Sequence, residues 1–185
     1  AHMAHHTNRA SFLPSEKQDP NNLMDFLLSV SSNTKSMLLA TATPVQLHPL
    51  EAWDLLYILS QGSNAVLGNQ WSKWRDAENA LDVVMGRKPL PDDDWELWSW
   101  MRNPLPPAVE GKTFDLVRRS LDLEANAAVA PGDKWERLSP ADQQRVRRKR
   151  DEFAQHHNPF IRHIVRRTRE YLEETINPAT GEPYM

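Results

Sequence analysis

From Met37 to Leu59 the chain reads MLLATATPVQLHPLEAWDLLYIL, and this stretch narrows the choice of folds more than any other. The apolar run Lys35–Thr41 is too short for a helix and predicts a strand buried on both faces, as a parallel sheet requires. Pro44 cannot continue a central strand, so the sheet is left at Thr43. Pro49 suits the first position of a helix and Glu51 its first turn. Leu50, Trp53, Leu56, Tyr57 and Leu59 make that helix apolar nearly all round, hence buried, and Gly62 stops it. A strand that ends in a hydroxyl-bearing turn at a crevice is where α/β proteins commonly hold ligands.

Beyond Gly62 the pattern changes. Ser63 to His157 contains no convincing strand, only helical periods divided by Pro and Gly. Trp71, Trp74, Leu81, Val84 and Met85 form one stripe, closed by Gly86 and Pro89. Asp92–Asp94 can cap a short helix carrying Trp95, Trp98 and Met101 and ending at Asn103-Pro104. Phe114, Val117 and Leu121 mark another, and Ser139-Pro140 opens a further one with an N-cap and a proline at the first position. That last helix is nearly all charge, with only Val146 and Phe153 apolar. Six of the seven tryptophans fall between Trp53 and Trp100, and tryptophans at helical spacing are read first as core.

Before this region, Asn21 and Asn22 can cap a helix whose apolar face is Leu23, Phe26, Leu27 and Val30, ending near Ser31–Asn33. After it, Asn158-Pro159 starts a helix with Phe160, Ile161, Ile164, Val165, Tyr171 and Leu172 on one side and Arg162, Arg166, Arg167 and Arg169 on the other. Asn177–Gly181 is a turn. Ala1–Gln18 reads as loop. Its histidines, His2, His5 and His6, include an i, i+4 pair able to ligate a metal if helical, while Ala1-His2-Met3 also matches a cloning remnant. Neither end looks finished, the pattern of a piece of something larger.

A length of 185 residues allows one domain, or one domain and an appendage. Net charge is −3, but it is unevenly spread. Arg145–Arg169 holds nine basic residues against Asp151 and Glu152, an asymmetry that suggests a surface facing a polyanion. Cysteine is absent, which removes disulfides and thiolate metal sites and fits a reducing, cytoplasmic setting. No run approaches eighteen apolar residues, so no membrane partner is expected.

No complete catalytic set is present. The six glycines never form GxxxxGK[ST], and neither GxSxG nor HExxH occurs. The order LLATATPVQ, LEAWDLLYIL, a helical stretch, then FIRHIVRRTREYLE nevertheless resembles the Swi/Snf-type helicase-like ATPases of helicase superfamily 2. The matching residues are Thr41, Ala42, Thr43, Pro44 and Gln46, then Glu51 with Trp53, then Arg166 and Arg167. Ala1-His2 would be the last two residues of the family's Asp-Glu-Ala-His box, which accounts for His2 better than a metal or a cloning remnant does. Leu47-His48 stand where the family usually has Asn, which favours a bacterial relative over the eukaryotic remodellers.

The resemblance implies a chain mostly α by residue content. It would be a fragment of an α/β RecA-like P-loop NTPase lobe (1–61), followed by an α-helical insertion (62–158) and a linker entering a second RecA-like lobe (159–185). It implies ATP hydrolysis, with Mg2+, coupled to movement along double-stranded DNA in the intact protein. The fragment itself is expected to bind neither ATP nor Mg2+ and to be inactive, since the phosphate loop and acidic pair would lie in the rest of the polypeptide. In the coupling motif, Thr41 and Thr43 would sense the γ-phosphate, with His2 as a relay and Ala1-His2 the remnant of the nucleotide-binding box. Arg147, Arg148 and Arg150 would contact phosphates. Arg166 and Arg167 would contact nucleic acid or hold the lobes in register through carboxylate pairs. A non-enzymatic helical module that binds nucleic acid or a partner helix is the alternative, and an RNA helicase of the DEAH class a third.

Overall fold

The computed structural model describes residues 22–40, 49–165, 174–176 and 179–182. Among these, every regular element is helical. The helices are α1 (Asn22–Ser32), α2 (Leu50–Leu59), α3 (Asn64–Leu67), α4 (Ala77–Val84), α5 (Asp94–Met101), α6 (Lys112–Ser120), α7 (Pro140–Arg148), α8 (Arg150–Glu152) and α9 (Pro159–His163). Short stretches of tighter helix at Lys73–Arg75, Ala108–Glu110 and Gly132–Arg137, and a π-helical turn at Phe153–His157, fill the connections. A mostly helical chain is therefore what the sequence folds into.

The caps fall where side-chain chemistry places them. Asp93 accepts from the N–H groups of Trp95 and Glu96 and starts α5. The Ser139 hydroxyl accepts from Asp142 N–H and Pro140 occupies the first turn of α7. Asn158 accepts from Phe160 and Ile161 N–H and starts α9. Each satisfies amide donors that the first turn leaves without helical partners.

One apolar core joins α2 to α9. It includes Trp53 and Leu56 of α2, Trp74, Leu81 of α4, Trp98 and Trp100 of α5, Phe114 of α6, Trp135, Val146 of α7, Phe153 and Phe160 of α9. Trp74 sits at its centre, fully buried. The Trp53 indole N–H donates to the Trp74 carbonyl at 3.0 Å, and the Trp74 indole N–H donates to the Trp100 carbonyl at 3.0 Å. That second bond has a specific cause. The residue four ahead of Trp100 is Pro104, which has no N–H to offer, so the indole supplies the missing donor. Trp74 also meets Trp100 edge to face, ring centres 4.8 Å apart. Five of the seven tryptophans are buried in this way.

The packing does not divide at 61/62 or at 158/159. α2, assigned by the sequence to an α/β lobe, and α9, assigned to a linker, share the core of the intervening helices. α1 lies against α2, and the chain closes tightly there. A Cβ on Gly62 would stand 2.7 Å from the Ser31 carbonyl oxygen, so only glycine permits the approach.

Several expectations are corrected. Met37–Ala40 forms no strand, and Leu38 is 92% exposed rather than buried on both faces. A strand buried on both faces needs a neighbour on each side, and the described residues supply none. On α1 the buried positions are Met24 and Ser31, while Phe26 is exposed. Apolar residues surround so much of that helix that its period does not select a face, and contact with α2 does. Trp71 leaves the expected stripe because its N–H is taken by Asn69 Oδ1 in a turn, which leaves its ring 77% exposed. The helix expected to continue past Phe160 stops at His163, where Ile164 turns extended at φ −107 and ψ 105, a geometry that suits the β-branched pair Ile164-Val165.

Candidate nucleic-acid interface

Ala1, His2, Thr41, Ala42, Thr43, Pro44, Gln46, Arg166 and Arg167 lie outside the described residues. The two motif neighbours that are described have interior positions. Glu51 is buried in the first turn of α2, where a carboxylate complements the helix dipole. Trp53 is buried and hydrogen-bonded to the backbone of Trp74. Its role is packing.

The chain enters and leaves this helical body at one place. Leu38, Leu39 and Ala40 on the way in, and His163, Ile164 and Val165 on the way out, line a single cavity of about 320 Å³ floored by Leu55, Leu56 and Leu59 of α2. His163 Nε2 lies 3.0 Å from the Ala65 carbonyl, tying the exit to α3. Burial lowers the pKa of this imidazole and neighbouring Arg162 lowers it further, against the opposing pull of the Ala65 carbonyl and Glu110. It is held neutral.

Arg145–Arg150 are all described, and their cations are largely matched. Arg147 grips Asp94 with both arms, Nε to Oδ1 at 2.6 Å and Nη2 to Oδ2 at 2.5 Å. Its guanidinium carbon also stands 5.6 Å from the Trp135 ring centre. Arg150 pairs with Asp92 and, at 2.9 Å, with Asp151. Arg145 pairs with Asp142, and Lys149 with Glu152. Arg148 is exposed and has no carboxylate within ion-pair distance among the described residues. Arg147 and Arg148 thus differ, although the sequence treats them alike. The face expected to present bare positive charge is stitched to the acidic turn that opens α5. Asp94 responds accordingly, its pKa lowered chiefly by the hydrogen bonds from Arg147. For Asp142, burial pushes the pKa up, but hydrogen bonds from Ser120, Ser139 and Arg145 outweigh it and the result is a lowered value.

A second polar group escaped the sequence altogether. Arg162, whose side chain is 8% exposed, donates from Nε to Glu110 Oε1 at 2.7 Å. His157 lies between Glu110 at 3.6 Å and Glu152 at 3.5 Å, its ring edge-on to Phe114. The contacts to Glu110 fasten α9 and the turn before it to the turn at Ala108–Glu110. Arg118 is likewise internal, and its hydrogen bonds among the described residues go to the carbonyls of Leu105, Pro106, Glu124 and Ala127, at 2.7–2.9 Å. It joins two loops that have no other regular structure. Sequence spacing carries no signal for either group, since the partners come from distant turns.

Among the described residues no three His, Asp or Glu side chains converge on a metal-sized site, and no helix is long and apolar enough to cross a membrane. No family model, curated protein or solved structure matches the chain.

Proposed function

We propose that this chain is part of an ATP-dependent double-stranded DNA translocase of the Swi/Snf type, with the helical body as an insertion between two motor lobes. The carrying observation is the shared cavity that Ala40 and Val165 both line. The coupling motif begins one residue beyond Ala40 and the arginine pair one residue beyond Val165. A helical body so connected can be added to a motor without separating the motifs on either side of it, and its arginine face would meet the DNA backbone in exchange for its own carboxylates. The donors that a nucleoside triphosphate needs, a glycine-rich run of N–H groups with a lysine, are not in this chain, so ATP and Mg2+ would be held by the rest of the polypeptide.

Thr41 and Thr43 would then couple nucleotide state to lobe closure. The test is DNA-stimulated ATP hydrolysis by the intact protein. Thr41→Ala/Thr43→Ala is expected to lower the stimulated rate by at least about tenfold, the effect of removing one polar interaction from the closed state. Unchanged stimulation removes the role given to the threonines. An intact protein without a phosphate loop defeats the motor reading outright. The exposure of Leu38 favours the second reading, a non-enzymatic helical module that binds nucleic acid or protein, and that module would show no ATP hydrolysis in the same assay.

A further inference from the structure

The acidic turn that opens α5 holds more carboxylates than the helix uses. Asp93 alone accepts the two free N–H groups of the first turn. Asp92 and Asp94 flank it, and among the described residues the hydrogen bonds of their side chains come from Arg150 and Arg147. Those two arginines are one helical turn apart on the run expected to meet DNA. The two-armed grip on Asp94 is also the geometry with which a guanidinium holds a phosphate. The pairs sit at the surface: the Arg147 side chain is 43% exposed and that of Asp92 93%. Exposed pairs of this kind are weak and screened by salt, so a dense row of phosphates can displace them.

We propose that the Asp92–Asp94 turn is an internal phosphate mimic. It occupies Arg147 and Arg150 until the backbone of a DNA duplex displaces it, and so sets a threshold of affinity on this face. The proposal rests on the reading that the face meets DNA, and its test separates the two. Binding of a fluorescent 20-base-pair duplex is measured by anisotropy across a salt series for the whole chain. The variants are Asp92→Asn/Asp94→Asn, Arg147→Gln/Arg150→Gln, the combination of all four, and Asp122→Asn/Glu124→Gln. The last removes the same charge from exposed positions; Asp122 has φ 52, which asparagine tolerates. Asp93 is untouched, so the cap stays, and urea midpoints confirm that each variant is folded.

The expected result is affinity tightened about fivefold to tenfold by Asp92→Asn/Asp94→Asn, the effect of two exposed pairs that need not be broken. That gain should exceed the charge control and vanish when Arg147 and Arg150 are absent. Arg147→Gln/Arg150→Gln should lower the salt slope by about 0.9 for each phosphate that is no longer neutralised. If the arginine variant weakens binding but the aspartate variant only matches the control, the mimic is overturned and the DNA face stands. If the arginine variant changes neither affinity nor slope, the face itself is not a DNA surface and the proposal falls with it.

Discussion

Two tryptophans of equal burial carry unequal loads. The Trp74 indole N–H satisfies the Trp100 carbonyl, whereas the Trp98 indole N–H is buried without a hydrogen-bond partner among the described residues. Replacing each by phenylalanine removes similar volume, but only Trp74→Phe strands a buried carbonyl. We expect Trp74→Phe to cost about 3 kcal/mol and Trp98→Phe less than about 2 kcal/mol. Urea unfolding followed by far-UV circular dichroism measures both, and equal losses would remove the distinction. That these residues form the core is legible in the sequence, because bulky apolar side chains at helical spacing have to be buried. Which indole also serves as a donor is not, since it depends on which ring the fold sets beside an open carbonyl, Trp74 at Trp100 and Trp53 at Trp74.

At the scale of elements, the starts of helices were legible and their reach was not. Asp93, Ser139 and Asn158 cap the helices that follow them because capping is a local bond between a side chain and amides two or three residues on. The end of α9 is set from elsewhere, where His163 meets the carbonyl of Ala65 on α3. Burial of the His163 ring beside Arg162 also makes stability depend on pH. In the folded state burial, and after it Arg162, lower the His163 pKa, while the unfolded chain takes up its proton near the ordinary value of about 6.5. The unfolded state therefore binds more protons as pH falls through that range, and the stabilisation present above it is lost on acidification. We expect His163→Gln to reduce the fall in urea midpoint between pH 7.5 and 5.5. An unchanged difference between the two pH values would assign the dependence to other groups.

At the scale of the whole molecule, α2 and α9 belong to the same core as the helices between them. A chain cut to residues 62–158 loses Trp53, Leu56 and Phe160 from this core, and with Trp53 its hydrogen bond to Trp74. It is expected to lack a cooperative unfolding transition, while residues 22–165 unfold in one step with coincident near- and far-UV signals. A cooperative 62–158 would restore the boundary that the sequence suggested.

By itself the sequence determined a helical body, its caps, its tryptophan-rich interior and the absence of a phosphate loop, because each of these rests on local chemistry or on composition. Only the tertiary structure decided the rest. It brought Leu38–Ala40 beside His163–Val165, buried Arg118 among carbonyls, and paired Arg147 and Arg150 with an acidic turn more than fifty positions away. A basic run looks bare in one dimension because its counter-charges are remote along the chain. Folding sets them opposite, and so turns a row of cations into a face whose charge is held in check by its own carboxylates.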